Sequence, residues 1–106
     1  SVLAVASARR GLALQSPRGL MRCGDLIGFR IQDEFQAGFA KAFFKVDGAH
    51  FALLSVLQRH EGAVFLAGEQ NVKESFVKAS VLLGAFPFLK NDDKVLVIAS
   101  VDIFVA

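Results

Sequence analysis

The chain has 106 residues, a single cysteine and a formal charge of +2. That length fits one domain with its own core, while the small charge argues against nucleic acid, the lone cysteine excludes an internal disulfide framework, and no apolar run reaches the ~18–20 residues of a membrane span. Hydrophobic residues make up 54%, above the ~45–50% of ordinary soluble domains, and a small fold cannot hide such a surplus alone.

Residues 2–7 are short, apolar and bounded by Arg9 and Gly11, which predicts a strand. The basic pair Arg9–Arg10 follows this apolar run, the wrong order for a secretory signal. Residues 11–24 hold Pro17, three glycines and two arginines and read as a loop. Arg9, Arg10, Arg18 and Arg22 come before the first acid, so residues 1–24 form a candidate basic arm. Residues 25–31 (DLIGFRI) read as a strand, with Gly28 marking a bulge or a close backbone approach.

The period then changes. Phe35, Gly38, Phe39, Ala42, Phe43 and Val46 recur at helical spacing, with Asp33 placed as an N-cap and Gly48 as a C-cap. This predicts a helix over 34–47, with Phe44 off the apolar stripe and available to an interface. Residues 50–60 carry apolar side chains on both parities, so either helix or strand fits; a strand buried on both faces is preferred. Residues 63–67 (AVFLA) predict a strand. Asn71 with Glu74 three positions on opens a second helix, whose stripe is Val72, Phe76, Ala79 and Leu83 and whose end is Gly84. Lys90 to Asp93 is a polar turn, and residues 94–105 alternate as a final strand. From Asp25 onward the order is β-α-β-β-α-β, a ferredoxin-like α+β core (25–106) preceded by a strand and an Arg-rich loop (1–24), all in one domain.

Chemistry-bearing patterns are sparse. There is no phosphate-binding glycine loop. His50, His60 and Cys23 are too scattered for a metal site, Asp92–Asp93 is an ordinary turn pair, and nothing resembles a catalytic constellation. No enzyme activity, metal or cofactor is expected. Eleven Phe with no Tyr or Trp suit a dry core or a permanent interface. The segment Arg59-His60-Glu61-Gly62 places three ionisable side chains at the tip between two apolar strands.

Residues 62–84 (GAVFLAGEQNVKESFVKASVLLG), with Ile27-Gly28-Phe29 and residues 42–45 (AFFK), resemble a bacterial microcompartment shell domain over residues 26–105. The N-terminal segment is similar to the extra strand of the circularly permuted members. The tip at 58–62 departs from that family's short glycine-rich loop, and the helices carry Phe where the family favours Ala. The resemblance implies a structural protein: a cytoplasmic homo-oligomer, a hexamer in the first instance, tiling with other shell proteins. Lys45 and Phe44 would lie at the subunit edge, and Arg59, His60, Glu61 and Gly62 would line a central pore for small metabolites. The alternative is a ferredoxin-like binding or regulatory module, or a subunit of a larger complex, that meets a partner or nucleic acid through its basic arm.

Overall fold

The computed structural model describes residues 8–100 and Ile103, and among them there is no α-helix. The strands are β1 (Ala8–Gly11), β2 (Ala13–Ser16), β3 (Gly19–Arg22), β4 (Leu26–Ile31), β5 (Glu34–Val46), β6 (Ala49–Glu61), β7 (Val64–Leu66), β8 (Val72–Lys78), β9 (Leu82–Ala85), β10 (Phe88–Asn91) and β11 (Lys94–Val97). Single 3₁₀ turns at Glu69–Asn71 and Ala79–Val81 flank β8. One antiparallel sheet runs β10-β11-β7-β6-β5-β4-β9, with β1 also on β5 and β8 also on β6; β2 and β3 form a separate hairpin. No helix among the described residues is long and apolar enough to cross a membrane.

The ferredoxin-like expectation is therefore corrected, and two turns explain why. Asp47 and Gly48 both hold positive φ, 49° and 87°. Gln32 and Asp33 do the same at 52° and 63°. Two consecutive residues in that region make the tight hairpin turn whose twist suits paired strands. Asp33 is thus a turn residue and not a helix cap, and Gly48 closes a hairpin instead of ending a helix. Between these turns, residues 34–46 pair on both sides. β4 lies against their first half, from Ile31 opposite Glu34 to Leu26 opposite Phe39. β6 lies against their second half, from Val46 opposite Ala49 to Gly38 opposite Val56.

The apparent helical period over 34–47 comes from burial on both faces. Phe35 and Ala37 belong to one core, with Leu26, Leu57, Phe65, Val95 and Val97, and the partly buried Phe39 packs against it. Ala40 and Phe43 belong to a second, on the opposite face, with Met21, Ile27, Phe29, Ala52, Leu54, Val77 and Leu82. The register shifts between Ala40 and Ala42, leaving Lys41 as a bulge. A bulge advances the strand by one residue and reverses its parity, which is how Ala40 and Phe43 reach the same core. Spacings of three and four then appear in a strand.

The second expected helix is likewise strand. Val72–Lys78 pairs along β6, and Leu82–Ala85 pairs with β4. Gly84, φ 125°, lies opposite Gly28 and ends no helix. Phe76, expected in the core, is 64% exposed. The final strand stops at Val97; Val95 and Val97 are buried as the alternation requires. Residues 101, 102 and 104–106 lie outside the described residues, as does the expected strand at 2–7. Residues 11–24 are a hairpin, not a loop: Ser16 faces Gly19, and the Ser16 Oγ accepts from Arg18 N at 3.1 Å and donates to Gly19 O at 3.0 Å.

Gly28 shows both signs of a close approach. The β4–β9 register shifts beside it, and a Cβ there would sit 2.5 Å from Phe86 Cε1 and 2.8 Å from Phe35 Cε2. These rings stand edge to face at 5.5 Å, and one of them must shift to admit a methyl group. Gly28→Ala is expected to lower stability by about 1–3 kcal/mol through overpacking. Urea denaturation measures this, and an unshifted midpoint would mean that the two rings yield.

Candidate functional site

The registers of β5, β6 and β8 set three rows of side chains side by side on one face. Phe44 lies opposite Phe51, and Phe51 opposite Lys78. Ala42 lies opposite Leu53, and Leu53 opposite Phe76. Phe39 lies opposite Ser55, and Ser55 opposite Glu74. Because opposed residues in a ladder share a face, Phe44, Phe51, Leu53 and Phe76 form one apolar patch.

Phe44 and Phe76 meet edge to face, centroids 5.6 Å apart. Ala42 beneath them is fully buried. Phe44, Phe51 and Leu53 are each partly exposed. Charges surround the patch: the Arg10 guanidinium stands 6.0 Å from the Phe44 ring centre, and Lys41 Nζ meets Glu74 Oε1 at 3.2 Å. Beyond Glu74 the face dips into an open depression of about 550 Å³, lined among others by Phe39, Ser55, Leu57, Val72 and Lys90. A polar rim around exposed aromatics is the anatomy of a protein interface.

The residues expected from sequence are dispersed. Lys45 is exposed on β5 opposite Arg9 and His50. Phe44 is partly exposed at the patch, where its place off the stripe is explained by β5 facing two ways. Arg59, His60, Glu61 and Gly62 occupy the end of β6 and its turn into β7. Arg59 Nε donates to Gly62 O at 3.1 Å, and its guanidinium lies 5.9 Å from the Phe65 ring centre.

The basic segment is folded against the sheet. Arg9 and Arg10 pair within β1 on β5. Arg18 Nη1 donates to Leu82 O at 2.8 Å, and Arg22 N donates to Asp25 Oδ2 at 2.8 Å. Cys23 is partly buried, its thiol donating to Lys41 O at 3.3 Å. Among the described residues no three His, Cys, Asp or Glu side chains gather as a metal site.

Sequence reasoning missed Phe51 and Leu53 as site residues and placed Phe76 in the core. The signal that finds them is the Asp47–Gly48 pair. A two-residue turn there sets Val46 against Ala49, and counting outward brings Phe44 to Phe51.

No family model, curated protein or solved structure matches this chain.

Proposed function

We propose that this chain is a structural protein that associates with copies of itself through the aromatic face of β5, β6 and β8. The observation that carries this reading is Phe76, a large apolar side chain 64% exposed that meets Phe44 edge to face beside Phe51 and Leu53. Isolated exposed hydrophobics need no explanation, but a contiguous aromatic group inside a charged rim does. Phe also suits a permanent dry contact, since it brings no polar atom that must find a partner on burial. The ring with a central pore rests on the microcompartment resemblance, whose two helices are strands here. Self-association alone is retained.

Light scattering after size exclusion, over a dilution series, tests it. The wild type is expected to run as a discrete oligomer. A Phe44→Ser/Phe76→Ser double variant is expected to weaken association by at least about tenfold, since centrally placed aromatics dominate interface energetics. A wild type that stays monomeric at every concentration would sink the proposal.

A further inference from the structure

The outer edge of β8 offers a specific mode for this association. Among the described residues β8 pairs with β6 alone, so its second row of backbone donors and acceptors faces outward. It is an uninterrupted seven-residue strand without proline. An edge of this kind is a template for another strand. Glu74, Phe76 and Lys78 alternate along it on the aromatic face, and all three are exposed.

We infer that two copies join edge to edge through β8, antiparallel about a two-fold axis beside Phe76. Such an axis, normal to the sheet, keeps each residue on its own face, so the register is defined by the residue opposite itself. With Phe76 on the axis, Glu74 of one copy faces Lys78 of the other, twice. Registers centred on Ser75 or Val77 set Phe76 against Glu74 or Lys78, and one centred on Glu74 sets like charges together. Only the Phe76 register matches acid with base. It also carries the aromatic row across the junction, from Phe44 and Phe76 of one copy to the same pair in the other. Edge strands often carry lysine to repel other strands; here Lys78 meets the one acid of β8.

This inference rests on the self-association reading and names its geometry. Glu74→Lys and Lys78→Glu each create two like-charged cross-strand pairs, and each is expected to weaken the dimer by about tenfold or more. The combined variant restores complementarity and regains association to within a few-fold. An equimolar mixture of the two single variants also associates. One copy then presents lysine at both positions and the other glutamate at both, so every cross-strand pair in the heterodimer joins opposite charges. Lys78→Glu leaves the Lys41–Glu74 contact in place, and a urea midpoint for each variant confirms that it is folded. Single variants that associate like the wild type overturn the β8 pairing, as does a mixture that fails to associate. If those variants keep wild-type association while Phe44→Ser/Phe76→Ser loses it, the aromatic face stands and the edge pairing falls. A monomeric wild type removes both.

Discussion

Phe35→Ala is expected to cost about 3–5 kcal/mol, read as a lower urea midpoint at unchanged slope. Phe35 is 1% exposed and sits where β4 and β5 begin their long hairpin. Its ring lies 6.1 Å from that of Phe65 and 5.5 Å, edge on, from that of Phe86. It fills the space that Gly28 leaves open, so truncation empties a site in the buried cluster of Leu26, Leu57, Phe65, Val95 and Val97. Phe76→Ala supplies the contrast. It removes one exposed edge-to-face partner and should cost only about 1 kcal/mol in the monomer. In a helical packing with Phe76 inside, the two losses would be alike. Comparable losses would therefore contradict the sheet, and a loss below about 1 kcal/mol at Phe35 would move that residue out of the core.

The short strands bounded by turns were legible in the sequence, and so was β6, although its apolar residues on both parities fitted helix or strand. Residues 25–31 and 63–67 correspond to β4 and β7, and the preferred strand over 50–60 to β6. The long strand β5 was not legible. It is buried on both faces and carries a bulge at Lys41, so its apolar residues fall at three- and four-residue spacings. Periodicity alone cannot separate that pattern from an amphipathic helix. β8 misled for a different reason. Its single buried residue is Val77, and the stripe Val72, Phe76, Ala79, Leu83 joins side chains of two strands and a turn.

Turn chemistry held the information that periodicity lacked. Asp-Gly at 47–48 is a strong short-range hairpin signal, and reading it as a helix end discarded the register it encodes. Once the turn is fixed, the aromatic face follows by counting. The Gln32–Asp33 turn gave no comparable signal, since neither residue is glycine and both nonetheless hold positive φ. Its conformation comes from the strands it joins, with Arg30 Nη1 donating to Asp33 O at 3.2 Å. Tertiary pairing decided that turn, and no local reading of residues 32–33 would have found it.

Met21→Ala should cost about 2–5 kcal/mol, and it bears on what the basic segment is. Met21 is 1% exposed although Leu20 and Arg22 on either side of it are exposed. It packs with Ile27, Phe29, Phe43, Leu54 and Val77, so the β2–β3 hairpin closes one face of the sheet. The arginines around it are carried by this lid. Arg18 is held to the Leu82 carbonyl, and Cys23 N donates to Leu12 O at 2.9 Å. An arm that reached out to a partner would tolerate alanine at Met21 with no change in the urea midpoint. A lid loses a side chain from the core, and its own backbone hydrogen bonds then exchange faster. The measurement is the midpoint together with amide exchange at Cys23, whose N–H donates to Leu12 O. A loss with faster exchange makes Arg18 and Arg22 part of a docked surface, whose charge is presented in fixed geometry. No loss would return them to a free arm and reopen an anionic partner as the reason for their presence.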